Sequence, residues 1–404
     1  MGTSIDQESS HFQSSNFNQI NPLEVARCFT QLATQDLFSK AHPLQSNQQH
    51  FQAAVQWLKR AQDATPDDGV SWGYSLKGGW RSSYRETSGY IAITLFDVAA
   101  RLGDRDAYER AVRIARWLCD RQNDDGSIAN PAFGTSGIVF DTGQVLGGLV
   151  RAYQETQDPA ILQAALKAGD WLAAVADREG RWTRHTHGGI PHVYNARVAW
   201  FLAQLNAIAP SPERDRVARA NLDWAVACQR PNGWFEQCAF TAGAAPFTHT
   251  IAYVIRGLLE AGLLLQESRY LESATRGAEA LLPHLRSDGF MPAQIDVDGS
   301  PVNTYCCLTG NCQIAIIWLK LFQQTGQAHY RAAAEQALRY VMAHQDLTTP
   351  NANIHGAIKG SQPIWGKYAP FGYPNWATKF FIDGLLLWAA CDPEAFRVAD
   401  EVLV

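Results

Sequence analysis

Two kinds of apolar pattern alternate along the chain. One is amphipathic, with charges confined to one face, as in Tyr108-Glu109-Arg110-Ala111-Val112-Arg113-Ile114-Ala115-Arg116-Trp117-Leu118. The same pattern recurs over 51–59, 161–172, 213–227, 269–282 and 330–342. The other is apolar on almost every side and covers 90–100, 145–153, 196–205, 251–265, 313–322 and 377–389. Helices with one polar face belong outside, and helices apolar all round must be buried. Six of each in strict alternation predict an all-α fold, a double-walled (α/α)6 toroid. An open solenoid is the alternative, but neither end carries a polar capping helix. A Gly-centred turn closes several outer helices, at Gly69, Gly126, Gly180, Gly233 and Gly289, spaced 57, 54, 53 and 56 residues apart. A period of that size marks stacked helical hairpins, and glycine suits the left-handed position after a helix end.

The connections are unequal. Inner-to-outer links are short, as in Leu102-Gly103-Asp104 and Gln157-Asp158-Pro159. Outer-to-inner links are long, at 123–140, 179–191, 231–248, 287–303 and 347–373. Long loops in a compact domain are more often functional than structural. All lie where the inner helices begin, so that end is expected to carry the cavity. Residues 1–20, rich in Ser, Gln and Asn, read as a loosely packed extension, and 21–404 as a single toroid domain.

The 46% apolar content of the 404 residues suffices for one large core, and the net charge of −5 argues against a nucleic-acid partner. No uncharged apolar run reaches the roughly 18 residues of a membrane span. The N-terminus lacks a signal-peptide pattern, and the eight scattered cysteines suit reduced thiols in a cytoplasmic protein. Cys306, Cys307 and Cys312 lack zinc-finger or ribbon spacing, and no dinucleotide or phosphate-loop fingerprint occurs. Neither metal nor cofactor is therefore expected, and the assembly is expected to be a monomer or homodimer.

Aligning the repeats on their inner helices gathers Glu86, Asp141, Tyr194, His249, Thr309 with Asn311, and Asn375 with Trp376 at one level. Each has a bland reading: Asp141 as a helix N-cap, Glu86 as a dipole partner, His249 as a buried imidazole, Tyr194 as packing. The conjunction points further, to proton transfer in a pocket at the mouth of the ring. Two carboxyl groups on neighbouring inner helices suit glycosidic acid/base chemistry. A Tyr–His pair suits proton removal beside a carboxylate, as in elimination or epimerisation. Aromatic residues in the loops and at helix starts, among them Trp72, Trp234, Trp365, Tyr368 and Trp376, suit the flat faces of sugar rings. His192, Arg197 and Lys359 are expected to hold a polar or anionic sugar group. Asn311 is expected to join them in binding.

The stretches Arg85-Glu86-Thr87-Ser88-Gly89-Tyr90, Phe140-Asp141-Thr142-Gly143-Gln144-Val145 and Pro191-His192-Val193-Tyr194-Asn195-Ala196-Arg197 resemble a bacterial family. So do Thr248-His249-Thr250-Ile251, Cys307-Leu308-Thr309-Gly310-Asn311 and Tyr373-Pro374-Asn375-Trp376. Its members are polysaccharide-biosynthesis proteins of the six-hairpin glycosidase type, encoded in exopolysaccharide clusters. More distantly, the chain is similar to unsaturated glucuronyl hydrolases, in which Asp141 followed by Gly143 looks like the catalytic Asp. Glu86 stands where their second acid would, though in a different local pattern. Similarity to N-acylglucosamine 2-epimerases implies a proton-handling role for His249. The Gln229–Trp234 run resembles the Gln-to-Trp repeats of terpene cyclases, but Asp296-Val297-Asp298-Gly299 is not their Asp-rich motif.

The expectation is an enzyme acting on an acidic, uronate-containing saccharide, with Asp141 as general acid, Glu86 as its partner, and His249 and Tyr194 moving or polarising protons. A cyclase of an apolar small molecule and a non-catalytic glycan-binding protein are the rivals.

Overall fold

The computed structural model describes residues 30, 34, 36–38 and 41–396. The expected extension at 1–20 lies outside the described residues. Among the described residues twelve long helices follow one another: α1 (Asn47–Asp63), α2 (Arg85–Leu102), α3 (Arg105–Asp120), α4 (Val139–Thr156), α5 (Pro159–Val175), α6 (Ala196–Ile208), α7 (Pro212–Ala227), α8 (Thr248–Leu265), α9 (Ser268–Leu281), α10 (Leu308–Thr325), α11 (Ala328–Met342) and α12 (Asn375–Cys391). The even-numbered helices contact one another in sequence and α12 returns to α2, so the inner wall is a closed ring. The odd-numbered helices form the outer wall. The (α/α)6 toroid is thus the architecture, and the open solenoid is excluded.

Three glutamine clips show how the periodic turns tie the outer wall together. Gln122 Nε2 donates to Gly126 O and Ala164 O, each at 2.9 Å. Gln229 Nε2 donates to Gly233 O at 3.0 Å and Ser273 O at 2.9 Å. Gln345 Nε2 donates to Gly356 O at 2.7 Å and His50 O at 3.2 Å. Each clip fastens a turn to the next outer helix, and the third joins the last turn to α1. Gly356 is thus a sixth turn glycine, at irregular spacing: a Cβ there would lie 2.4 Å from Ala53 O. Closure is completed in the loops, where β1 (Gly73–Ser75) pairs antiparallel with β2 (Gly79–Trp80) and with β5 (Gly372–Pro374). A second pair joins β3 (Cys306–Cys307) to β4 (Ser361–Gln362).

The inner helices begin earlier than the apolar pattern indicates. Asp141 is not an N-cap: α4 starts at Val139, Ile138 occupies the cap position, and Asp141 stands in the first turn. Glu86 likewise stands inside α2. Polar first turns are compatible with helix here because the neighbouring loops bond the first N–H groups. Val139 N donates to His185 O at 2.8 Å, Thr248 N to Ala293 O at 2.8 Å, and Asn375 N to Trp72 O at 2.9 Å. Each long loop is thereby pinned to an inner helix mouth.

The closest approach is between α2 and α4. A Cβ on Gly148 would lie 2.2 Å from Gly89 O, and one on Gly89 would lie 2.7 Å from both Gln144 O and Val145 Cα. Two helix backbones meet there with no side chain between them. An exposed helical Gly→Ala change stabilises by about 1 kcal/mol; here the methyl collides with backbone, and overpacking costs about 1–3 kcal/mol. Gly148→Ala is therefore expected to destabilise the chain by about 2 kcal/mol in urea unfolding. Unchanged or increased stability would show that the two backbones are not held in contact.

Candidate active site

A cavity of about 540 Å³ opens at the mouth of the ring. Glu86, Asp141, Tyr194 and His249 all line it, joined by Tyr368 and Trp376. The Gly89–Gly148 contact explains why the two acids share one wall: each precedes its glycine by one or two turns on neighbouring helices. Glu86 and Asp141 are 9% and 5% exposed, so both carboxyl groups are removed from bulk water.

Glu86 has an identifiable partner. Tyr84 Oη donates to Glu86 Oε2 at 2.6 Å, and Asn130 Nδ2 approaches Tyr84 Oη at 3.4 Å. Burial raises the Glu86 pKa to about 7, a rise opposed by the tyrosine hydrogen bond and by the positive charge of Arg197. Burial lowers His249 to about 3, so its imidazole is neutral at ordinary pH. Its Nδ1 lies 3.9 Å from Cys307 Sγ, and its ring sits 4.6 Å from that of Tyr368. Tyr368 is fixed by Trp376, whose Nε1 donates to Tyr368 Oη at 2.7 Å.

Several expected binding residues serve the wall from behind. His192 stacks on Tyr194 at 4.6 Å and 15°, with Nδ1 3.0 Å from Ala239 O and Nε2 2.7 Å from His187 O. It positions the tyrosine and does not line the cavity. Trp72 packs edge-on against Trp376 at 5.0 Å.

Others are spent elsewhere. Lys359 is buried in an ion pair with Asp36 at 2.7 Å and reaches Gln362 at 2.5 Å. Asn311 Nδ2 donates to Gly289 O at 2.9 Å, fastening a turn as the glutamines do. Trp234 packs on His284, away from the mouth, and Trp365 is 40% exposed outside the cavity wall. Arg197 is the largest departure. Its long side chain turns beneath the cavity, where Nε donates to Gln144 Oε1 at 2.7 Å.

The lining also includes Tyr84, Asn130, Phe140, His187, Phe240 and Tyr253, which the inner-helix alignment passes over. Tyr253 was detectable, since it follows His249 by one helical turn. Tyr84 and Asn130 lie in loops and carry no periodic signal. Among the described residues, no three His, Cys, Asp or Glu side chains gather as metal ligands, and no helix is long and apolar enough to cross a membrane.

The family model of the squalene-hopene cyclase C-terminal domain matches residues 86–259. No curated protein sequence matches the chain. Among solved structures, an unsaturated glucuronyl hydrolase specific for heparin is similar, with a TM-score of 0.70 and 17% identity over 87% of this chain and 99% of its own. The Bacillus sp. GL1 unsaturated glucuronyl hydrolase, responsible for glycosaminoglycan degradation, gives 0.67 and 17% over 87% and 98%. That of Streptococcus agalactiae gives 0.65 and 11% over 93% and 97%.

Between about pH 4.5 and 7 the folded chain keeps a proton on Glu86 that the unfolded chain has released. Its contribution to stability is therefore lost as pH rises across that window. Glu86→Gln is expected to remove this loss, so that from about pH 4.5 to pH 8 the variant gains on the order of 3 kcal/mol relative to the parent in denaturant unfolding. A pH-independent difference would contradict the buried, protonated carboxyl. The chain thus shares the six-hairpin toroid of these proteins, with two buried acids at its mouth.

Proposed function

We propose that the protein is a glycoside hydrolase-like enzyme acting on a uronate-containing saccharide at the mouth cavity. The observation that carries this reading is the placement of two buried carboxyl groups, from neighbouring inner helices, on one open aromatic-walled cavity. In such a site one carboxyl donates a proton to the saccharide while the other takes a proton from water. With a pKa of about 7, Glu86 holds the proton in the free protein near neutrality. It is the donor, and Asp141 is the base, which exchanges the roles expected from the sequence. Neutral His249 and Tyr194 contact the sugar as hydrogen-bonding groups. Tyr368 and Trp376 supply faces for its ring.

Among the described residues, no Lys or Arg lines this cavity. Recognition of the uronate carboxylate therefore falls to Ser136, Thr186 and His185 on the loop side. The similarity to unsaturated glucuronyl hydrolases supports this substrate class.

A second reading, a cyclase of an apolar polyene, is favoured by the matched cyclase-type family model and by the aromatic character of the wall, which includes Tyr90, Phe140, Phe240 and Tyr253.

Release of reducing sugar from disaccharides with a non-reducing-end glucuronate, saturated or carrying a C4–C5 double bond, tests the proposal. Glu86→Gln and Asp141→Asn are each expected to lower kcat by about 100-fold or more with circular dichroism unchanged. Activity of the parent is expected to fall above about pH 7, as Glu86 loses its proton. That limb should be absent from the residual activity of Glu86→Gln. A limb that persists in Glu86→Gln and vanishes in Asp141→Asn would return the donor role to Asp141. Full activity in both variants, or conversion of a polyene with no action on sugars, would overturn the hydrolase reading.

A further inference from the structure

A second cavity, of about 490 Å³, lies on the far side of the ring from the mouth. Its walls carry five cationic side chains, Arg101, Arg197, Arg256, Lys320 and Lys379, against two acidic ones, Asp97 and Asp383. Ion pairing does not cancel this excess. Lys379 pairs with Asp383. Arg256 and Lys320 share a single acid, Glu260, at 2.5 and 2.8 Å. Asp97 is engaged from outside the cavity by Arg151 at 2.8 Å. Arg197 is 4% exposed, and the carboxylate whose charge acts on it, Asp383, is already paired with Lys379.

Helix dipoles do not account for the buried pair. The negative end of a helix attracts cations in its last turn. Arg197 instead stands at the second position of α6 and Lys379 at the fifth of α12. The rings of Trp200, Phe201 and Phe380 lie 5.1–5.7 Å from the Arg197 guanidinium. They offset part of the desolvation cost and leave the charge in place. Burial holds Lys379 down at about 8 and Arg197 at about 10; Asp383 opposes the fall in both, and the neighbouring Arg256 adds to it.

The rest of the wall is apolar. Ile93, Ile316, Leu386 and Leu387 line it with the aromatic rings. The space is several times larger than an inorganic anion needs, which suits a ligand with a hydrophobic body.

We propose that this lower cavity is a binding site for a small organic anion, its head group held between Arg197 and Lys379 and its apolar body against Phe380 and Ile316. It is separate from the mouth cavity: Glu86, Asp141, Tyr194 and His249 do not line it. Bound there, the anion would add to the negative charge of Asp383, which Arg197 and Lys379 share.

Isothermal titration calorimetry of the full chain with phenyl phosphate, benzoate and inorganic phosphate tests this. One-to-one saturable binding is expected for phenyl phosphate or benzoate, and whichever binds more tightly identifies the head group. Inorganic phosphate should bind at least about tenfold more weakly, for want of an apolar body. Ala390→Trp, at an exposed position on the cavity wall, should block entry, and Lys320→Gln should weaken binding about tenfold. Glu86→Gln, at the mouth, should leave it unchanged. The proposal is overturned if neither aromatic anion binds saturably or if inorganic phosphate binds as tightly. It is also overturned if binding survives Ala390→Trp and Lys320→Gln while Glu86→Gln abolishes it.

Discussion

The site depends on one backbone contact. Gly89 of α2 and Gly148 of α4 let two inner helices touch without side chains between them. A larger residue at either position would separate the helices at the level just below Glu86 and Asp141. The ring of six inner helices has little freedom to absorb such a shift, because its outer wall is clipped turn to helix and its last turn is fastened to α1 by Gln345. Packing, closure and the juxtaposition of two acids are thus one geometric problem, solved by small residues where the walls meet.

The toroid also sorts its charges. At the mouth, acids and neutral imidazole stand among aromatic rings, with no Lys or Arg among the described lining residues. Beneath the floor, Arg197 and Lys379 stand in a second cavity with cations in excess. Arg197 links the two levels, because its charge opposes the rise in the Glu86 pKa that burial causes. An arginine at the mouth itself would pair with Glu86 and strip it of its proton near neutrality. Placed one layer below, it leaves the carboxyl protonated while still supporting its ionised form.

Helix count, alternation and the end that carries the cavity were legible because periodicity is a local property of the chain. The mouth residues Glu86, Asp141, Tyr194 and His249 were found by the same alignment, since equivalent positions in a closed ring share an axial level. What could not be read was the direction and partnership of long side chains. Arg197 lies at a helix start, as expected, but position along an axis does not say whether a flexible side chain turns up or down. Lys359 was expected to hold a sugar group, but its partner Asp36 is 323 residues away in sequence. Asn311 resembled a site residue, yet from the first turn of α10 it donates to Gly289 O and holds a turn. Trp234 and Trp365 matched a composition argument that carries no geometry.

The most direct test of the account is a carbon-13 NMR titration of the Glu86 side-chain carboxyl, assigned by its disappearance in Glu86→Gln. The buried carboxyl beside Tyr84 is predicted to titrate near pH 7. A midpoint at the ordinary glutamate value of about 4.3 would mean that the mouth is solvated or that Glu86 is paired, and would contradict its role as the proton carrier of the site.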